Sequence, residues 1–270
     1  KRSIGVCEWS NVGRRWWRGC QVSIQHVVIE SCDESCGFQM IVNGYSIEAN
    51  ADLTNADLRG VDLTDADLVG AVMVGSDLTD ANLTRANLTD AHLKNADLTR
   101  ANLTAAYLMG TDLHCANLTD AILIGADLTR AHLRDANLSG CNLTDAGLAS
   151  AGLYNANLTD ANLTRAELTK ANVTDANLTR ANLTEATLTE ADFRDSNLYR
   201  CRLAHADLTR TAFSHANLSW ANLIGADLDG TILFGADLTG ADFSRAEWSG
   251  TMMSNGALKP VTKQLLLTEN

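Results

Sequence analysis

The chain has 270 residues, of which 33 are acidic and 21 are basic, and its formal net charge at pH 7 is −12. Hydrophobic residues make up 46% of the chain, yet only 5% are aromatic and there is a single proline. No apolar run reaches 18 residues, so no transmembrane helix is predicted, and the negative charge argues against direct binding of nucleic acid.

Residues 1–50 follow no repeat and predict three short strands. The stretch QVSIQHVVIE, residues 21–30, alternates enough for one strand. In GFQMIVNGYSIEA two strand-like runs flank Asn43 and Gly44, a dipeptide that favours the tight turn of a β-hairpin. A separate cluster is typical of protein interfaces and of membrane surfaces. It consists of Arg14, Arg15, Trp16, Trp17 and Arg18.

Four of the seven cysteines lie in the same segment, at Cys7, Cys20, Cys32 and Cys36. In an oxidising compartment they are expected to form one or two disulfides. A zinc site is the alternative, although zinc favours C-x2-C pairs and the close pair here has three intervening residues. Cys141 and Cys201 instead fall on inward positions of the repeat described next, where they predict buried thiols.

From residue 51 to residue 255 the sequence is a five-residue repeat of 41 units without an insertion. An apolar residue, usually Leu, recurs at every fifth position from Leu53 to Met253. A small residue, usually Ala, lies two positions before it, and Asp or Asn usually lies between them. The larger or branched exceptions at the apolar position are Met73, Val173, Phe193, Phe213, Phe243 and Trp248.

A period of five fits neither a helix nor a flat strand. Five residues rotate a helical stripe by about 140°, and an odd period sends alternate leucines to opposite faces of a strand. The pattern fits a chain that turns a corner once per unit and directs its Leu and Ala inward. Four corners make a square coil of 20 residues, whose stacked copies pair as parallel strands at about 4.8 Å. Ten such coils predict a rod about 50 Å long.

The ends of such a rod need covering, because exposed β edges invite further stacking. At the C-terminal end, KPVTKQLLLTEN places Pro260 where a short helix could begin. We therefore predict a capping or docking segment at residues 1–50, a β-helix at residues 51–255 and a C-terminal cap at residues 256–270. Docking of the first segment includes peripheral membrane contact through its Arg and Trp residues.

The tandem A(D/N)LXX units resemble those of the pentapeptide-repeat family, and the resemblance covers about three quarters of the chain. It implies an all-β fold, a right-handed quadrilateral parallel β-helix with four pentapeptides per coil. Because family members are common in cyanobacteria and plastids, it also implies a plastid or thylakoid-lumen protein, with the cytoplasm as the alternative. The chain opens at Lys1 rather than at Met, which leaves open whether a targeting segment precedes it.

Sorting the units by twenty separates four faces of the predicted rod. On the faces through Leu58 and Leu63, Asp or Asn precedes nearly every leucine and Thr usually follows it, and the face through Leu68 keeps Ala at every small position. The face through Leu53, Met73 and Leu93, called face A, breaks the Asp/Asn-and-Thr rule in most coils. A departure from the repeat rule on one side of the rod only is typical of a contact surface. The alternative is that this side simply tolerates substitutions. The predicted partner-binding residues are Val72, Val74, His92, Lys94, His114, His132, Arg134, Tyr154, Arg194, Ile232 and Phe234, together with Trp16 and Trp17.

Face A also holds candidate metal ligands, because His92, Asp112 and His132 fall in one column at about 4.8 Å spacing. Surface histidines on an irregular face are, however, usually plain surface residues. A convex rod offers no concave pocket in which titratable groups could converge, so neither catalysis, a cofactor nor a small-molecule substrate is predicted. We predict a non-catalytic rod that binds a protein partner or joins a multi-subunit complex.

An acidic mimic of DNA is the alternative function. Some bacterial members of the family protect DNA gyrase by resembling a DNA rod, which requires acidic charge along the length. The repeats carry 27 acidic and 14 basic residues, so the sign of the charge agrees. The distribution agrees less well, because Asp concentrates near both ends while the middle has Asn, with Arg at its corners.

Overall fold

The computed structural model describes residues 27–30 and 39–253. Three short strands precede the repeats and form an antiparallel sheet in the order β1-β2-β3. They are β1, Val27–Glu30, β2, Gln39–Val42, and β3, Tyr45–Ile47. Asn43 and Gly44 form the turn between β2 and β3, with φ angles of 50° and 84°. The predicted hairpin and the strand before it are confirmed.

Several predictions concern residues outside the described part of the chain. They are those made for Cys7, Cys20, Cys32, Cys36, Trp16, Trp17 and residues 256–270.

From residue 51 onward the chain winds into coils of 20 residues. The outward residue at the centre of each unit pairs in parallel with the residue twenty positions later, from Asp52 with Val72 to Ile232 with Met252. The Leu53 N–H donates to the Val72 carbonyl at 2.7 Å, and the Val72 N–H donates to the Ala51 carbonyl at 2.8 Å. Equivalent bonds recur from coil to coil, so the predicted square coil and its register are confirmed.

A four-residue turn closes each unit. In the first unit the Ala56 N–H donates to the Leu53 carbonyl at 3.0 Å. The third residue of each turn, at every multiple of five from Asn50 to Gly250, has a positive φ. Such turns favour Gly, Asn and Asp, which supply most corners. Other residue types, including Trp220 at φ 60°, adopt the same conformation because the hydrogen-bonded ladder on both sides holds them in it.

The interior is a stack of Leu and small side chains. The apolar positions from Leu53 to Leu233 are fully buried, and each buried Leu contributes on the order of 1.5–3 kcal/mol. Phe193 and Phe213 occupy adjacent coils inside face A, with ring centroids 5.2 Å apart. Cys141 and Cys201 are buried as predicted, and burial raises the pKa of the Cys141 thiol to about 12.

The two ends of the described rod differ. At the N-terminal end, Val42 and Ile47 of the hairpin join the same buried core as the first coil. The Asn43 side-chain amide fixes the hairpin further by donating to the Asp57 carbonyl at 2.8 Å. At the other end Phe243 and Trp248 are only partly buried, with ring centroids 4.8 Å apart.

Within the described residues, no helix has the length and apolar character needed to cross a bilayer.

Candidate protein-binding surface

The regular side of the rod satisfies its own polar groups. On face B, the face through Leu58 and Leu78, Asn157 accepts hydrogen bonds from the Thr159 backbone N–H and hydroxyl at 3.2 and 2.7 Å. The Asn157 amide in turn donates to Asn137 Oδ1 of the preceding coil at 3.0 Å. Similar bonds recur through the Asn column of this face. A partner approaching face B would therefore have to compete with bonds already made.

Face A lacks this ladder in its middle coils. The His92 and Lys94 side chains are exposed and make no hydrogen bond or ion pair with any described residue. His132, two coils further along, is also exposed, and its ring stacks against that of His114 with centroids 5.8 Å apart. These side chains are available to a partner without the loss of an existing hydrogen bond.

Arg134 and Tyr154 form an exposed cation–π pair in the same region. The guanidinium carbon lies 4.9 Å from the Tyr154 ring centroid. Arg134 Nε also donates to Asp135 Oδ2 at 3.2 Å, and the Asn155 amide donates to Asp135 Oδ1 at 2.8 Å. Hydrogen bonding to Asn155, followed by that to Arg134, lowers the pKa of Asp135. The pair thus presents an aromatic ring and a guanidinium, the groups most common at the centres of protein interfaces.

Asp112 is the acidic residue between the histidines of face A. Its Oδ1 lies 2.5 Å from His114 Nδ1 and accepts the His114 backbone N–H at 3.0 Å. Partial burial, the largest single influence, acts to raise the pKa of Asp112, but the hydrogen bonds from His114 and the nearby imidazoles together leave that pKa below its usual value. Asp112 therefore orients the His114 ring.

The three candidate metal ligands do share one column. Asp112 pairs with His92 on one side and with His132 on the other. Yet no group of three or more His, Cys, Asp or Glu residues in the described ranges is arranged to hold a metal ion. The structure thus does not bring His92, Asp112 and His132 together as a ligand set.

The remaining predicted residues of face A lie near its two ends. Val72 and Val74 are half-buried, as is Ile232. Phe234 is 49% exposed and contacts the His215 ring edge-on, with centroids 5.5 Å apart. Arg194 is engaged by Asp192 through Nη2 and Oδ2 at 2.5 Å. The structure therefore separates a middle group, centred on Arg134 and Tyr154, from a small apolar group at the C-terminal end.

Sequence sorting by faces missed one exposed apolar group. Tyr107 and Met109 lie on the face through Leu68, whereas Ile122 and Ile124 lie on the adjacent face through Leu63. They are 52%, 42%, 39% and 36% exposed, respectively. Tyr107, Ile122 and Ile124 flank the corner between the two faces, whereas Met109 lies in the turn at the next corner, where the Thr111 N–H donates to the Leu108 carbonyl. We call Tyr107, Ile122 and Ile124 the corner patch. Sorting the sequence by corners instead of faces would have revealed it.

Comparison with known proteins bears on the whole repeat region. The family model described as pentapeptide repeats matches eight copies between residues 49 and 250. HetL, a pentapeptide repeat protein involved in heterocyst differentiation regulation from the cyanobacterium Nostoc sp. strain PCC 7120, is 34% identical. The match covers 76% of this chain and 93% of HetL, with a TM-score of 0.45.

Two further solved structures match with lower scores. A pentapeptide repeat protein from the Arabidopsis thaliana thylakoid lumen is 30% identical over 51% of this chain and 72% of its own, with a TM-score of 0.18. QnrB1, a plasmid-mediated fluoroquinolone resistance protein, is 17% identical over 60% of this chain and 83% of its own, with a TM-score of 0.30. Among curated proteins, none matches this sequence.

Proposed function

Because the chain belongs to the pentapeptide-repeat family of right-handed quadrilateral β-helices, we propose that it is a non-catalytic rod that binds a protein partner through face A. The observation that carries this proposal is the exposed Arg134–Tyr154 pair, which lies among side chains with few internal bonds. Arg and Tyr are enriched at the residues that contribute most to protein–protein binding.

The contrast with face B supports this choice of surface. Displacing the Asn157 and Thr159 hydrogen bonds would leave polar groups without partners at the interface, which costs about 1–3 kcal/mol for each buried group. On face A, Lys94 and His92 can form new bonds to a partner with only their hydration to lose. The partner is therefore expected to contact the middle group of face A, while the regular faces keep the rod rigid.

A paired affinity purification tests this proposal. The wild-type chain and an Arg134→Ala, Tyr154→Ala variant would each be used as bait in extract from the native source, and stoichiometric partners would be compared. The matched control is Tyr199→Ala with Arg200→Ala, because this pair also forms a cation–π contact, at 5.2 Å, but lies on face B. We expect the partner to be lost with the face A variant and kept with the control; equal recovery with all three would exclude face A.

A DNA mimic that binds gyrase or a similar enzyme is the second candidate. The excess of 27 acidic over 14 basic residues in the repeats favours it, as do the exposed Asp52, Asp57, Asp62 and Asp67 on the first coil. Further along the rod many corner carboxylates are neutralised, for example Asp80 by Arg100 at 2.6 Å. Inhibition of gyrase supercoiling by the purified chain would support mimicry, and normal supercoiling at saturating concentrations would exclude it.

We propose the thylakoid lumen or the equivalent cyanobacterial compartment as the location, because members of this family are common in cyanobacteria and plastids. Fractionation of the source cells with an antibody to the chain tests this location. Recovery in the cytoplasmic fraction alone would contradict it.

A further inference from the structure

One corner of the rod carries an ordered column of charges. It lies between the face through Leu63 and the face through Leu68, and its members are twenty residues apart. From its first charged residue, the column reads Asp65, Arg85, Ala105, Gly125, Asp145 and Arg165, and it continues with Glu185 and His205. Arg85 forms two bonds to Asp65, at 2.7 and 2.6 Å, and Arg165 forms two bonds to Asp145, both at 2.7 Å. Two small uncharged residues separate two equivalent ion pairs.

The corner patch flanks this uncharged centre. Tyr107 follows Ala105 on one face, and Ile122 and Ile124 precede Gly125 on the other. Bulky apolar side chains thus lie on both sides of a position where the corner itself is smallest. A second surface could approach the corner closely at Ala105 and Gly125 and cover the apolar groups beside them.

We propose that this corner column is an interface between two copies of the chain, arranged as antiparallel rods about a two-fold axis. An axis midway between Ala105 and Gly125 places each residue of the column opposite its mirror position in the second copy. Arg85 then faces Asp145 of the second copy, Asp65 faces Arg165 of the second copy, and Ala105 faces Gly125 of the second copy. Every charge meets its opposite, which is the self-complementarity that a two-fold interface requires.

Two other arrangements fit less well. Parallel rods would place Arg85 against the same arginine of the second copy, which is repulsive. The adjacent corner column has similar pairs, Asp80 with Arg100 and Asp160 with Arg180. Its centre, however, carries the charged Asp120, which a two-fold axis would offset along the rod from the same residue of the second copy by only one coil rise, about 4.8 Å. The uncharged centre distinguishes the column that we propose.

The interface is expected to be weak. Six coils span about 24 Å along the rod, so the contact belongs with interfaces that bury less than about 1,200 Å² in total and dissociate readily. Exposed ion pairs add little to affinity, and their main effect is to select the antiparallel register. Burial of the corner patch of both copies supplies most of the attraction. This predicts a concentration-dependent dimer.

Sedimentation velocity over a wide concentration range tests the proposal with charge-swapped variants. Asp65→Arg with Arg85→Asp keeps the intrachain pair and the net charge but places like charges opposite each other across the axis. We expect it to weaken dimerisation at least about tenfold. Asp145→Arg with Arg165→Asp should do the same. The chain that carries both swaps regains complementarity and should dimerise like the wild type, and an equimolar mixture of the two singly swapped variants should form heterodimers.

The matched control is Asp80→Arg with Arg100→Asp on the adjacent corner, which should leave dimerisation unchanged. Ile124→Asp adds a charge beside the axis and should abolish dimerisation, provided that its cooperative melting shows an intact rod. A wild-type chain that is monomeric at all concentrations overturns the proposal, as does a dimer that is insensitive to the single swaps. The Arg134→Ala, Tyr154→Ala variant should still dimerise, so failure here is distinguishable from failure of the proposed function.

Discussion

Face A and face B share one backbone ladder and one interior spacing, yet their outward side chains behave differently. On face B each Asn from Asn117 to Asn217 accepts the backbone N–H two residues later and donates to the coil before it, as Asn157 does with Thr159 and Asn137. On face A the middle coils break this chain of bonds and expose Arg134 and Tyr154 instead. In this fold the interior sets the period, while the outside is free to differ from one face to the next.

The largest effect is expected inside face B. Leu158→Asp would bury an unpaired charge between coils in the most regular part of the rod. We expect loss of cooperative unfolding, measured by circular dichroism during heating. Leu158→Met, which conserves volume, should cost less than about 1.5 kcal/mol. A Leu158→Asp variant that melts within a few degrees of the wild type would refute the inward position of this residue.

Inside face A the substitution with the largest expected effect is Phe213→Ala. The ring packs against Phe193, and its removal leaves a cavity that should lower the free energy of unfolding by about 3–5 kcal/mol. Chemical denaturation measures this loss, and Phe213→Leu should lose much less because Leu is the usual occupant of the position. Partner binding should survive both substitutions at temperatures where the rod is folded, since the outward side chains are unchanged.

Two arginines of face A should differ in their contribution to binding. Arg134→Ala removes a guanidinium held over Tyr154 and should weaken partner binding by about 2 kcal/mol, close to thirtyfold in Kd. Arg194 is already bound by Asp192, so Arg194→Ala should change binding by less than about 0.5 kcal/mol. Titration calorimetry with the purified partner measures both. A larger loss of binding for Arg194→Ala than for Arg134→Ala would place the binding centre nearer the C-terminal coils.

The ladder of side-chain hydrogen bonds on face B should contribute less to stability than the buried side chains do. Asn157→Ala removes two accepted bonds and one that reaches the preceding coil, and should cost about 1 kcal/mol of stability. Asn172 on face A accepts only from Thr174, within its own unit. Asn172→Ala should therefore cost less. Equal losses in urea denaturation would show that the contact between coils adds nothing.

The smallest effect is expected on the stability of the fold at acidic pH. The folded-state pKa of Asp112 is lowered, so its ionised form adds stability above about pH 4, and this stability is lost as the pH falls through the lowered value. The contribution is well under about 1 kcal/mol, because solvent screens a partly exposed carboxylate. Asp112→Asn should flatten the decline in melting temperature below pH 4. The equivalent column of face B is Asn from Asn117 to Asn217 and cannot titrate.

Much of this architecture could be predicted from the sequence, because the interior obeys a strict rule. The spacing of Leu and Ala predicts the coil, and Asn43 with Gly44 predicts the hairpin. The conformation of Trp220 could not be predicted from propensity, since a bulky residue rarely adopts positive φ unless tertiary hydrogen bonds hold it there. There the ring lies over Gly240, where an added Cβ would come within 2.8 Å of it.

The candidate site was less predictable than the fold. The departures from the repeat correctly mark the side chains that face outward, but spacing alone does not show which of them are already bound. Arg194 and His114 both belong to the predicted surface, and each is engaged by an Asp two residues earlier. Such bonds depend on side-chain rotamers, which a period of five does not determine.

The coil of 20 residues also restricts how the length of the rod can change without altering its surface. Each coil bonds to the next through the same backbone pattern, so inserting twenty residues would lengthen the rod by about 4.8 Å and leave every face aligned. Inserting five residues would preserve the Leu interior but turn everything downstream by a quarter revolution. Between His132 and Tyr154, such an insertion would divide the middle group of face A between two sides of the molecule. Insertions and deletions therefore keep the faces aligned only when they comprise multiples of twenty residues. A smaller multiple of five moves the downstream side chains to other faces.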